Sequence, residues 1–168
     1  MSEFKEITPI EFNESPFKII GKDAMLITAE KDGKVNTMTA SWGGLGVLWS
    51  MDVAFIFIRP QRYTKEFVEA NDYFSLSFLG ENYKKELGYL GTVSGRDEDK
   101  ITNSKLTLKK HENAPYFNEA NKVLICKKLY KQDLKEEFFI DKSIIEKAYP
   151  DKDLHTVYVG KIEKILVK

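Results

Sequence analysis

The chain has 168 residues, 42% of them hydrophobic, which is enough for one core and short for two domains of ordinary size. Its 26 Lys and Arg balance 26 Asp and Glu, so it lacks the basic excess that binding along a phosphate backbone requires; nucleic acid is excluded as a general partner. One cysteine, Cys126, excludes an internal disulfide and a multi-thiolate zinc site and fits a reducing, cytoplasmic setting, while the polar first residues and the shortness of the longest apolar run (53–58) imply neither export nor a membrane partner.

No linker, repeat or low-complexity tract interrupts the sequence, so a single domain over residues 1–168 is expected. Residues 24–30 and 34–38 flank Lys31-Asp32-Gly33, and Asp-Gly supplies the backbone angles of a tight hairpin turn. Residues 53–58 are apolar at both alternating sets of positions and stop at Arg59-Pro60, which predicts a central strand buried on each side. Tyr63, Phe67, Val68 and Ala70 fit helical spacing over 63–71, with Thr64 placed to cap the first turn and Asn71 to end it. Phe74, Leu76 and Phe78 then alternate with Ser75 and Ser77, the pattern of a half-buried strand.

A second short helix is predicted over 82–90, followed by a polar loop through 94–104. Residues 122–130 and 134–140 read as a further hairpin around Lys131-Gln132-Asp133. Residues 143–149 read as a short helix stopped by Pro150, and 156–167 as a long strand with a bulge or bend at Gly160. Six or more strands joined mainly by hairpins, with helices as inserts, favour a mainly β fold: a closed or split antiparallel β-barrel with a few short helices.

The glycines of Trp42-Gly43-Gly44-Leu45-Gly46 do not form the G-x-G-x-x-G of a dinucleotide fold, and a Walker lysine is absent. The preceding polar run, Asn36-Thr37-Met38-Thr39-Ala40-Ser41-Trp42, is more informative. Its small residues let backbone N–H groups approach a flat ligand, its hydroxyls donate or accept, and Trp42 offers an apolar wall; it reads equally as a Ser/Thr-rich strand end entering a glycine turn. Arg59-Pro60-Gln61-Arg62-Tyr63-Thr64 sets two guanidinium groups and a hydroxyl between a buried strand and a helix start. A phosphomonoester would find charge-assisted forks there, whereas the competing reading is a solvated corner whose arginines pair with carboxylates.

Ser94-Gly95-Arg96-Asp97-Glu98-Asp99-Lys100 is a mixed-charge loop without the alternating ligands of a calcium site. His111 and His155 are far apart, and no nucleophile elbow supports a Ser-His-Asp arrangement of Ser41, His155 and Asp153, so no metal site and no catalytic side chain is expected. His155 reads as an exposed strand-edge residue or as a neutral donor beside a ligand, and Cys126 as packing.

In combination, the segments 36–44, 59–64, 94–100 and 155–160, in that order around a hairpin, a buried strand, a helix and a Ser-rich strand, resemble the flavin reductase-like proteins with an FMN-binding split barrel, and within them the flavoredoxin branch. The resemblance spans roughly residues 15–167. It implies an FMN held noncovalently in a homodimer. It further implies that Thr39, Ala40, Ser41 and Trp42 line the isoalloxazine, that Arg59, Arg62, Tyr63 and Thr64 hold the phosphate and ribityl end, that Asn36, Met38 and Gln61 also belong to the cofactor site, that Ser94, Arg96 and Lys100 lie beside the cofactor, and that His155 faces the flavin or its substrate. The implied activity is oxidoreduction: electrons pass from NADH or NADPH, bound transiently, or from a redox partner protein, through FMN to a flavin, a ferric complex or a protein acceptor. The alternatives are an FMN-bearing electron carrier that takes no hydride from a nicotinamide, and a barrel that has lost its flavin.

Overall fold

The structure, a computed structural model that describes residues 3–168, is built on strands β1 (Lys5–Ile7), β2 (Met25–Lys31), β3 (Lys34–Ala40), β4 (Gly43–Leu48), β5 (Met51–Ile58), β6 (Tyr73–Phe78), β7 (Leu108–His111), β8 (Ala114–Phe117), β9 (Lys122–Asp133) and β10 (Thr156–Val167). Helices α1 (Thr64–Ala70), α2 (Lys84–Thr92), α3 (Lys100–Ser104) and α4 (Ser143–Ala148) are inserted between them, and a π-helical segment, Phe17–Lys22, precedes β2. The β2–β3 hairpin forms as expected, with Asp32 and Gly33 both at positive φ, 51° and 75°.

The main sheet is antiparallel throughout and runs β3-β2-β6-β9-β10-β5-β4, with β1 added on β10. Its two ends, β3 and β4, are joined by residues 41 and 42 alone. A link that short spans at most ~11 Å, whereas seven strands laid flat would hold their outer members ~29 Å apart. The sheet therefore curls until its ends meet. No ladder pairs β3 with β4, so the barrel is split rather than closed, and the 38–42 segment crosses the seam.

At β2, β6 and the first half of β9 both faces of the curled sheet are covered. Inside lie Met25, Ile27, Ile56, Phe74, Leu76, Leu124, Cys126 and Tyr158, while the alternate residues Leu26, Val123 and Ile125 pack outward against Leu87 and Leu90 of α2 and Phe117 of β8. This corrects the expectation of a half-buried strand at 73–79: Ser75 and Ser77 are fully buried. The β7–β8 hairpin lies over them, and they bond to its backbone, Ser75 Oγ donating to the Pro115 carbonyl at 2.5 Å and Ser77 Oγ accepting from the Phe117 amide at 3.3 Å. Alternation reported the polarity of that face, not its exposure.

The predicted hairpin at 122–140 is also overturned. Residues 131–133 continue β9 because β10 pairs with them, Tyr158 opposite Lys131 and Thr156 opposite Asp133. Residues 134–140 make only a single 3₁₀ turn at Glu136–Phe138, with Ile140 fully exposed. The strand over 53–58 exists but sits second from the edge, since β4, unforeseen within a glycine run, covers its outer side. Thr64 does not cap α1; its hydroxyl accepts from Asn36 Nδ2 at 2.9 Å, while Asn71 ends the helix as expected. The 94–104 loop contains α3, capped by Asp99, whose carboxylate accepts from the Thr102 amide.

Helices α2 and α4 correspond to the two remaining predicted helices, and β10 is irregular where a bulge was expected, its register shifting between Val159 and Gly160. A Cβ at Gly160 would lie 2.6 Å from Phe74 Cζ and 3.0 Å from Cys126 Cβ, so a core ring occupies the side-chain space of that position. Cys126 is buried packing, as expected. No helix among the described residues is long and apolar enough to cross a membrane.

Candidate functional site

The seam of the split barrel carries two clefts that meet at Arg62. The wider, about 150 Å³, is lined by residues 38–42 with Phe57, Arg59, Arg62 and His155. The narrower, about 110 Å³, is lined by Asn36, residues 61–64, residues 91–94 and Lys100. Fourteen of the fifteen residues singled out in the sequence border one or other of these clefts.

Arg96 is the exception. It borders a third cleft of about 540 Å³ between the 33–36 and 95–102 segments, which shares Asn36 and Lys100 with the narrower one; there Arg96 bonds Glu66 at 2.6 Å and the Gln61 carbonyl at 3.1 Å and lies 4.5 Å over the Tyr63 ring. That larger cleft mixes Lys34 and Arg96 with Asp97, Glu98 and Asp99, so it presents no single sign of charge.

Local bonding holds the cleft walls in place. Asn36 is buried and bridges β3 to the start of α1 through Thr64. Thr39 Oγ1 donates to the Leu87 carbonyl at 2.6 Å, tying the end of β3 to α2. Lys100, 3% exposed, reaches back from α3 and donates to the Leu90 and Val93 carbonyls, both at 2.9 Å, at the C-terminal end of α2, where a cation is favoured. Residues 91–93 were not foreseen as part of the site: they enter it because α2 ends there, and a Gly-Thr-Val sequence carries no distinguishing pattern. Phe57 was missed for a related reason, since the all-apolar strand that contains it gave no sign that one of its faces borders a cleft.

The two arginines of the corner behave differently. Arg59 is engaged: Nη1 pairs with Asp153 Oδ1 at 2.7 Å, Nη2 donates to the Ala148 carbonyl at 2.9 Å, and the guanidinium lies 5.8 Å from the Trp42 ring centre and 5.0 Å from that of Tyr149. Gln61 adds a 2.6 Å bond to the same carboxylate. Arg62 is half-buried and has no carboxylate partner among the described residues; burial and the neighbouring Arg59 hold its pKa below the guanidinium norm. The Lys100 ammonium is brought down to about 8, first by burial and then by Arg62. Three cations therefore gather around the junction of the clefts, with Asp153 committed to the outermost of them.

His155 is 7% exposed, which removes the exposed-edge reading. Its ring lies 5.1 Å from Trp42, itself 48% exposed, and burial with Arg59 next lowers its pKa to about 4, so it is neutral at pH 7. An exposed indole, a neutral imidazole and the polar 38–41 backbone make the wider cleft a place for a flat, partly apolar ligand, and the uncompensated charge beyond it a place for an anion.

Comparisons with known proteins bear on the fold. The flavoredoxin of Methanosarcina acetivorans shares the fold at 23% identity and a TM-score of 0.68 over 98% of this chain and 76% of that one. The FMN-binding domain of a flavin reductase-like enzyme from Shewanella baltica does so at 14% identity and a TM-score of 0.72 over 99% and 79%. The NADH:FAD oxidoreductase of Streptomyces globisporus, in complex with NAD and FAD fragments, does so at 16% identity and a TM-score of 0.64 over 87% and 74%. No curated protein matches the sequence. The model of the flavin reductase like domain matches residues 18–168, a span that includes both clefts and every strand of the main sheet except β1. With that match over most of its length, the chain belongs to the flavin reductase-like domain family.

Proposed function

We propose that the joined clefts hold FMN noncovalently, the ring against Thr39, Ala40, Ser41 and Trp42 and the phosphate at Arg62, and that the protein is an oxidoreductase of flavin reductase or flavoredoxin type. The observation that carries this reading is Arg62, a half-buried guanidinium with no carboxylate partner among the described residues, flanked by Arg59 and Lys100. Keeping such charges together costs free energy in the free protein, and a phosphate dianion offsets that cost. The fit extends to the ring, because the 38–42 segment brings small residues and hydroxyls beside an indole wall.

When bound, FMN would supply the capacity to accept a hydride and pass its electrons onward. The chain's own residues do the rest: Arg62 and Lys100 neutralise the phosphate, Asn36 and Thr64 fix the wall between the two clefts, and Trp42 shields one side of the ring. No side chain is needed as nucleophile. NADH or NADPH would bind transiently over the open side of the wider cleft, and a redox partner protein is the other candidate donor or acceptor. The two clefts that share Arg62, about 150 and 110 Å³, are each small beside the ~300–1,000 Å³ usual for small-molecule sites, and a homodimer whose second copy adds a wall to them is part of the same reading.

The test is the absorption spectrum of the purified protein, followed by the same spectrum under NADH or NADPH without oxygen. A flavin band that bleaches on a turnover timescale supports the reductase. A flavin band that persists assigns the protein to the electron carriers. A colourless preparation that stays colourless after soaking in excess FMN removes the flavin reading.

A further inference from the structure

Between α4 and β10 the chain makes a short return that packs against Trp42, Arg59 and His155 at one edge of the wider cleft. Arg59 secures it at three points: the Ala148 carbonyl, the Asp153 carboxylate and the face of the Tyr149 ring, 5.0 Å away. Tyr149 is 5% exposed, packs edge-on to Trp42, Phe139 and His155, and its hydroxyl lies 2.8 Å from His155 Nδ1. Among the described residues that nitrogen is the sole hydrogen-bond partner of the Tyr149 hydroxyl, and the other ring nitrogen of His155, Nε2, has none.

We infer that Tyr149 is a positioning residue: its hydroxyl donates to Nδ1 of His155 and so fixes the tautomer that presents Nε2–H to the wider cleft. The argument is one of satisfaction. If Nδ1 carried the proton and donated to the phenol oxygen, the Tyr149 hydroxyl hydrogen would be buried without an acceptor, an unfavourable arrangement. Donation in the other direction satisfies both groups and leaves one N–H, on Nε2, beside the cleft that His155 lines. The electrostatics agree. Burial raises the Tyr149 pKa, so the phenol keeps its proton, while burial, Arg59 and Arg62 outweigh Asp153 at His155, so the imidazole carries a single proton.

The consequence for chemistry rests on the flavin reading: a neutral donor on the cleft wall favours negative charge on whatever ring lies against it without adding a fixed positive charge. The assignment of the tautomer does not rest on that reading.

The experiment uses the full chain labelled with ¹⁵N-histidine, with His111 as an internal reference. Two-bond correlation spectra of the wild type are expected to give His155 a bare Nδ1 and a protonated Nε2. Tyr149→Phe keeps the ring and its contacts and is expected to lose that single-tautomer pattern while His111 stays unchanged. A wild-type spectrum with the proton on Nδ1, or a Tyr149→Phe spectrum identical to wild type, overturns the inference. In FMN-loaded protein the same variant is expected to shift the flavin midpoint potential to more negative values with FMN affinity retained. An unshifted potential refutes the role of the Nε2–H toward the ring. Failure to bind FMN would instead refute the flavin reading, and leaves the tautomer result to be decided in the free protein.

Discussion

Replacing Arg62 by Ala tests the anion half of the site. In the free protein this side chain is half-buried beside Arg59 and close enough to Lys100 to depress its pKa, so its removal relieves both repulsion and desolvation; the variant should melt no lower than wild type. In the complex the same substitution removes a charge-assisted contact. A pair of unit charges ~4 Å apart near a protein surface interacts by up to ~4 kcal/mol, and removing one charged partner in practice costs about 1–3 kcal/mol. Because Lys100 and Arg59 remain, a loss of about 2 kcal/mol is expected, a roughly 30-fold rise in Kd. Fluorescence titration with FMN and with riboflavin, against both proteins, completes a four-way cycle. Riboflavin has no phosphate, so its affinity should agree between the two proteins within about twofold. Equal losses for FMN and riboflavin would mean that Arg62 supports the ring or the fold; no loss for either would refute the anion site altogether.

Two further outcomes follow from the same contacts. Lys100 titrates near pH 8 in the free protein, and a bound dianion favours its charged form, so binding takes up a proton above pH 8. FMN affinity should therefore weaken as pH rises from 8 to about 9.5, and a riboflavin titration with the same slope would refute Lys100 as the cause. Gly160→Ala would drive a methyl into the Phe74 ring and the Cys126 Cβ in a packed interior, so thermal or urea unfolding should report a loss of about 1–3 kcal/mol, and an unchanged melting temperature would contradict the close approach described here.

The parts of the fold legible in the sequence are those set by local chemistry. Asp32-Gly33 could close a hairpin without help from the rest of the chain, and Asn71 could end α1 because its own side chain accepts from the Tyr73 amide two residues on. The parts misread are those decided by a distant partner. Residues 131–133 look like a turn until β10 offers eleven residues of ladder, and Ser75 and Ser77 look solvated until β8, forty residues on, lies across them. β4 was hidden for a different reason: three glycines in six residues argue against a strand, yet here they let β4 lie against β5, where a Cβ on Gly43 would come within 2.7 Å of the Phe55 carbonyl.

The candidate site was legible in outline because its residues come in short contiguous blocks, 36–42 and 59–64, each on one structural corner. What the blocks could not supply was the division of labour within them. Arg59 and Arg62 are three residues apart and chemically identical, and each was equally open to a carboxylate partner. The carboxylate comes from Asp153, ninety-odd residues away, and it reaches Arg59 because the return before β10 is pinned to that guanidinium through Ala148 as well. The same pinning commits Asp153 to Arg59 rather than Arg62 and sets Tyr149 against His155. One ion pair thus does two things that no local pattern encodes. It leaves Arg62 without a carboxylate among the described residues, and it holds the return that sets Tyr149 against His155.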